Sequence, residues 1–250
     1  MPSKTKRRGP SGGGDRTRTK ILDAAEALFA VRGYHGVSIR DITLKAGVQL
    51  ALANYHFGSK ERLYNDVIRR RGPFHAAQMQ QFLDETLAAA KGGKPSVEAI
   101  IEAFCGSIFE RIMNGGAGWR GYVQLLARVA DAPQKEGFVT PMNELFDPVV
   151  ANSILALRRA LPRMRPRNLY AAFYFLQAGL VYILSDTGGI DRQSSGIVHS
   201  SEFRKLLPQM VVFFAAGFRS LDGSPRLVLH RVRARPRSQR AAPKSSVPNR

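Results

Sequence analysis

The chain has 250 residues, 44% of them hydrophobic, and a formal net charge of +19, a composition that is ordinarily globular and long enough for one large domain or two smaller ones. No apolar run reaches the roughly 18 residues of a membrane span, and the basic N-terminus lacks the apolar segment of a signal peptide. Its one cysteine, Cys105, excludes an intramolecular disulfide, so a soluble protein of the reducing cytoplasm is expected.

The charge is uneven. Residues 1–20 carry seven Lys/Arg against one Asp, and residues 222–250 carry eight against one. A polyanion partner is implied, with strong, salt-sensitive attraction to DNA phosphates. The five histidines show no paired metal-ligand spacing, and neither a metal nor a cofactor is implied. Cys105, on an apolar helical face with Phe104 and Ile108, reads as a small buried hydrophobe.

Residues 1–16 are Gly, Ser and Lys/Arg with almost nothing to bury, and read as a disordered basic arm that either tracks phosphates or is a plain solvated leader. From Thr17 the pattern becomes helical. Ile21, Ala25, Leu28 and Phe29 fall at i, i+4, i+7 and i+8, and Gly33 ends the run. Thr17 and Arg18, at the start of this helix, are placed to meet a phosphate through free backbone N–H groups and the positive end of the dipole.

The stretch from Val37 to Lys60, VSIRDITLKAGVQLALANYHFGSK, has the rhythm of two short helices joined by a tight turn. Ser38 caps the first, and Ile39, Ile42 and Ala46 share one face. Gly47 supplies a left-handed turn residue and Val48 returns to the core. Gln49 to Tyr55 make about two turns of a second helix, which Gly58 closes. This is a helix-turn-helix pattern.

Residues 17–71 resemble the DNA-binding domain of the tetracycline-repressor (TetR) family: a first helix ending at a Gly near Tyr34, then S-I-R-D-I, A-G-V and N-Y-H-F-G-S-K-E. The resemblance implies DNA contacts at Thr17, Ser38, Arg40, Gln49, Leu50, Ala51, Leu52, Asn54, Tyr55, His56 and Lys60. Arg40 matches a position that reaches a base edge, where a guanidinium suits guanine. Leu50, Ala51 and Leu52 occupy the exposed turn of the recognition helix, where apolar groups read thymine methyls. Asn54, Tyr55, His56 and Lys60 match positions that grip the backbone or outer bases. Two departures stand out: Asn54 replaces a frequent Tyr, and Leu52 and Ala53 are exchanged in size, which leaves open which Leu faces DNA and which packs inward.

Ser59 caps the next helix, with an apolar face through Leu63, Tyr64, Val67 and Ile68 down to Arg69, Arg70 and Arg71. Gly72-Pro73 is read as its end and as the domain boundary. Beyond it come amphipathic helices: Phe74 to Ala90; from a cap at Ser96 to Met113; Trp119 to Ala130; and Leu145 to Leu161. Residues 169–185 are apolar nearly all round, residues 185–196 read as a loop, and Phe203 to Leu221 is another strongly apolar helix with Pro208 near its start. No run alternates over strand length. The expected fold is therefore all-α, with an N-terminal three-helix helix-turn-helix domain (17–71) and a C-terminal helical ligand-binding and dimerisation domain (72–221). The basic tail (222–250), rich in Pro and Ser, reads as disordered.

Gly116, Gly118 and Gly121 spell a literal GxGxxG, but a helix precedes them where a dinucleotide site needs a strand, so an inter-helix turn is expected. No G-x-S-x-G, H-E-x-x-H or P-loop pattern is present, and no enzyme is indicated. The two strongly apolar helices need cover on both sides. The family resemblance implies a four-helix homodimer interface, two heads and a palindromic operator in double-stranded DNA.

That resemblance also implies a regulator of transcription in the bacterial cytoplasm, on the nucleoid, most often a repressor released by a small effector. The pocket is expected within residues 74–180, under Phe82, Phe104, Ile108, Trp119, Leu125 and Phe173, an aromatic and aliphatic set that suits an apolar effector. The R-R-R-G-P break followed by F-L-D is similar to the subgroup that senses fatty acids or acyl-CoA, and Arg120 or Arg128 is placed to meet an acidic head. The rival reading is a non-specific architectural DNA-binding protein that relies on its charged ends.

Overall fold

The computed structural model describes residues 12–130, 132–185 and 188–223. Most of the basic arm and nearly all of the basic tail read from the sequence lie outside the described residues. Those described form ten α-helices and a short 3-10 turn, with no strand among them: α1 (Gly12–Arg32), α2 (Ile39–Ala46), α3 (Leu50–Phe57), α4 (Lys60–Ala89), α5 (Val97–Asn114), α6 (Ala117–Ala130), the turn Gly137–Val139, α7 (Thr140–Ala160), α8 (Pro166–Leu184), α9 (Gly189–Gln193) and α10 (Phe203–Leu221).

Local sequence signals fix the head. Ser38 and Asp41 form a reciprocal capping box: the Asp41 N–H donates to Ser38 Oγ at 3.1 Å, and the Ser38 N–H donates to Asp41 Oδ2 at 2.8 Å. Such a box satisfies two of the helix-end N–H groups, and its hydrogen bonds hold the Asp41 carboxyl below its ordinary range. Gly47 ends α2 in the left-handed region at φ 65°, where a residue with a Cβ would be strained. Gln49 proves to be the N-cap of α3 rather than its first residue. Ser59 caps α4 and Ser96 caps α5 through their hydroxyls, as their positions ahead of the apolar runs suggest.

Helix α1 begins at Gly12, inside the stretch read as a disordered arm. Asp15 in its first turn favours the positive helix end. Thr17 is consequently one turn inside the helix, and the free N–H groups expected to meet a phosphate there belong instead to residues further upstream.

The largest correction concerns Gly72-Pro73, which does not end a helix. Helix α4 runs straight through it for 30 residues. A proline inside a helix removes one backbone hydrogen bond and costs about 3 kcal/mol. Val67 and Ile68 before it and Met79 and Leu83 after it are buried; at roughly 1.5–3 kcal/mol each, their burial outweighs that loss. The glycine serves close packing: a Cβ at residue 72 would stand 2.6 Å from Leu145 Cδ1 of α7. The head and the helical domain therefore share both a helix and a core, which runs without a break from Ile21 to Phe218.

Helix α7 starts at Thr140, five residues earlier than the periodicity suggests, because Pro141 occupies a first-turn position that needs no N–H. Pro208 lies in the second turn of α10, later than is free of cost. The loop expected at residues 185–196 contains the short helix α9. In the GxGxxG stretch, Gly116 makes the turn at φ 80° and Gly118 sits in the first turn of α6, where a Cβ would collide with Arg71 Nη2. These glycines shape a turn and admit an arginine. No helix among the described residues is long and apolar enough to cross a membrane.

Candidate nucleic-acid interface and effector cleft

The outer face of the head brings the sequence-selected residues together. In α3, Ala53 and Phe57 turn into the core while Leu50 (47% exposed), Leu52 (38%) and Tyr55 (82%) face out with Ala51 and Asn54. The exchanged sizes at positions 52 and 53 are thus resolved: the small residue packs inward and both leucines face solvent. Arg40 on α2 and Gln49 ahead of α3 are exposed on the same assembly, and His56 is half-buried beside the Tyr55 ring at 5.2 Å.

Two of the expected phosphate ligands are held by the protein itself. Lys60 Nζ lies 4.3 Å from the centre of the Tyr34 ring, and burial lowers its pKa. Arg18 donates to Asp66 at 2.7 Å and lies over the Phe57 ring. The Ser38 hydroxyl donates to Asp41 Oδ2 at 2.6 Å, inside the cap.

Charged and aromatic contacts lock the head to the helical domain. Glu26 of α1 is buried between Arg70 and Arg71, at 3.9 Å and 3.3 Å; burial raises its pKa, and the two guanidinium groups pull it back. Arg71 also lies over the Trp119 ring of α6. Phe138, in the 3-10 turn, stacks on Tyr34 at 4.3 Å. Arg128 of α6 donates from Nε to the Ala30 carbonyl, near the C-terminus of α1, at 2.6 Å.

Close to that last contact lies a cleft of about 830 Å³ between α6, α7 and α8, bounded at one end by Ala30 and Val31 of α1. Ala127, Met142, Phe146, Val150 and Val181 give it apolar walls; Gln124, Arg128, Asp147, Gln177 and Tyr182 supply polar groups. None of Phe82, Phe104, Ile108, Trp119, Leu125 and Phe173 lines it. Phe104, Ile108, Leu125 and Phe173 are sealed in the core, with Phe104 and Phe173 ring to ring at 5.0 Å. Phe82 is half-buried, and Trp119 packs on His75 and Tyr122.

Large apolar residues serve a core as readily as a pocket, and four of these six lie in the core. The wall that α8 gives this cleft, Tyr174, Gln177, Ala178, Val181, Tyr182 and Ser185, repeats at i, i+3, i+4, i+7, i+8 and i+11 and mixes polar with apolar groups. Arg128, expected to serve an acidic head, does line this cleft, and Arg120 borders a smaller hollow beside it.

These features define a helix-turn-helix protein whose head shares its fourth helix with an all-helical second domain. Residues 21–67 match the family described as bacterial regulatory proteins, tetR family, and residues 102–217 match the tetracyclin repressor-like C-terminal domain. The chain belongs to the tetR family of bacterial regulatory proteins.

The HTH-type transcriptional activator FasR of Mycolicibacterium smegmatis is 30% identical over 119 residues, 48% of this chain and 51% of that protein. The HTH-type transcriptional repressor KstR2 of the same organism is 30% identical over 127 residues, 51% and 58% of the two chains. The chain thus spans about half the length of the curated relatives it matches. Among solved structures, the hemolysin II transcriptional regulator HlyIIR superposes with a TM-score of 0.57 at 18% identity, covering 85% of this chain and all of that one. This shows the fold.

Proposed function

We propose that the protein is a ligand-responsive, sequence-specific DNA-binding regulator of transcription, acting in the bacterial cytoplasm as a homodimeric repressor that a small, largely apolar effector releases from a palindromic operator. The observation that carries the reading is the outer face of α3, which holds Leu50, Leu52 and Tyr55 in solvent, with Arg40 of α2 exposed as well. A helix that keeps large side chains outside a complete core is built to meet a groove. The relative named as a repressor, KstR2, supports this sign of regulation, and the one named as an activator, FasR, the opposite sign. Dimerisation is supported by the outer faces of α8 and α10, which expose Tyr170, Phe175, Val212 and Phe213.

The cleft is the effector site in this reading. Its apolar walls suit an alkyl or ring body, and Arg128 at its α1 end suits an acidic head such as that of a fatty acid or acyl-CoA. An effector bound there touches α1 and competes with Ala30 for the Arg128 guanidinium. To lower operator affinity about 150-fold, it needs about 3 kcal/mol of preference for the DNA-free arrangement.

The test is selection of binding sites from a random duplex pool at two salt concentrations. A two-fold palindrome that survives the higher salt is expected, and it then serves as the probe in an effector screen. A pool that stays random and is lost as salt rises would put an architectural, charge-driven protein in place of this reading. Transcription that falls on deletion of the gene would replace repressor by activator.

A further inference from the structure

The end of the molecule away from the helix-turn-helix carries a charged patch that neither the head nor the cleft uses. From Pro148 to Ser185 the chain holds five arginines, Arg158, Arg159, Arg163, Arg165 and Arg167, and no Asp, Glu or Lys. All five are exposed, and they crowd into the last turn of α7, the connection and the first turn of α8. Arg163 meets Asp222 at 3.6 Å; the other four have no carboxylate at ion-pair distance among the described residues.

The position of the patch follows from which residues pair along the helices. Helix α7 runs parallel to α4, since Arg69 bonds Glu144 and, further along, Gln80 bonds Asn152. At 1.5 Å per residue, Arg158 and Arg159 lie roughly 35 Å beyond the Lys60 end of α4, where the head sits. The end of α10 arrives at the same place, for Arg219 pairs with Glu98 at the start of α5.

Fold stability accounts for only part of the charge. Arg158 and Arg159 favour the negative end of α7, but Arg165 and Arg167 stand at the positive end of α8. There Arg165 occupies the N-cap position without a side-chain hydrogen bond.

We propose that this distal patch binds the phosphates of a second DNA duplex, so that one molecule holds two duplexes, one at α3 and one at the turn between α7 and α8. The proposal rests on the head reading for the first duplex only. The patch is built from arginine alone, whose planar guanidinium takes two phosphate oxygens at once. The chain beyond the fold leaves from the same place: a Cβ at Gly223 would lie 3.7 Å from Arg163 Cζ, and residues 224–250 add eight Lys/Arg and no Asp or Glu.

The full-length protein is incubated with a mixed-sequence duplex on beads and a labelled free duplex, and capture of the label is measured across salt. Wild type is expected to capture it. The variant Arg158→Ala, Arg159→Ala, Arg165→Ser, Arg167→Ala, with an unchanged melting temperature, is expected to bind the bead duplex as before yet capture at least tenfold less. Its salt dependence should flatten by roughly 0.9 in log–log slope for each phosphate no longer neutralised. Replacing the same four by lysine should retain capture at low salt.

Wild-type capture by the four-site alanine/serine variant overturns the proposal. So does a loss confined to anionic phosphatidylglycerol vesicles, with DNA capture intact. The head reading fails separately: it is lost if Arg40→Ala with Tyr55→Ala leaves bead binding untouched while the distal variant abolishes it.

Discussion

Two surfaces of this molecule expose large apolar side chains, and they are not alike. On the head, Leu50, Leu52 and Tyr55 of α3 are exposed, and so are the cations Arg40 and Lys45 of the preceding helix and Arg62 of the following one. On α8 and α10, Tyr170, Phe175, Val212 and Phe213 stand on segments without a charge, from Leu169 to Ser185 and from Leu206 to Phe218. Apolar exposure alone does not name a partner; the field around it does. A cationic surround suits a polyanion whose groove presents methyl groups, and a neutral surround suits a copy of the same face.

That contrast can be broken most sharply on the neutral side. Phe213→Asp places a charge where the proposed partner helix packs, while residue 213 is 73% exposed in the single chain and leaves the core alone. Sedimentation should show monomers at micromolar concentration, and affinity for a palindromic duplex should fall at least about 100-fold, since one head replaces two. A variant that still sediments as a dimer would place the interface elsewhere.

On the cationic side, Arg40→Ala with Tyr55→Ala should lower operator affinity by about 10- to 100-fold, the size expected when one or two base-edge interactions are removed, and leave the sedimentation coefficient unchanged. Equal losses on operator and random DNA would make these residues phosphate ligands rather than base readers.

The smallest expected effect lies between the two surfaces, at His75 in the middle of α4. It is buried against Trp119, Tyr122 and Phe146, and burial, helped by the Arg111 charge, drives its pKa down to about 3. The folded state holds it neutral while the unfolded chain takes a proton below about pH 6.5, so stability falls with pH through the window from 6.5 towards 3. Between pH 7 and 5.5 this amounts to roughly 1 kcal/mol. Urea melts of wild type and His75→Phe should differ in that pH slope; identical slopes would assign the acid sensitivity to other groups.

Much of the head was legible because its signals are local. Ser38, Gly47 and Ser59 each act within a few residues of themselves, and each does in the fold what its position suggests. Gly72-Pro73 misled because its local meaning was overruled by distant partners: α7 holds α4 on both sides of the proline, at Arg69 and at Gln80, and Leu145 claims the space beside the glycine. The cleft escaped for a related reason. Open space between three helices belongs to no segment of sequence, and the large apolar residues that suggest a pocket by their chemistry are the ones a core absorbs first.

The unbroken α4 has a mechanical meaning. Thirty residues make a rod of about 45 Å, with the helix-turn-helix at its Lys60 end and α7 paired to it on both sides of Pro73, at Arg69 and at Gln80. The proline removes one rung from the ladder and so marks the compliant point. From Pro73 to Lys60 the arm measures about 20 Å, so a tilt of about 10° there carries the head through about 3.5 Å. In the proposed dimer on one duplex the two displacements would add, and a rearrangement of a few tenths of an ångström around the proline would become a mismatch with the groove spacing of DNA.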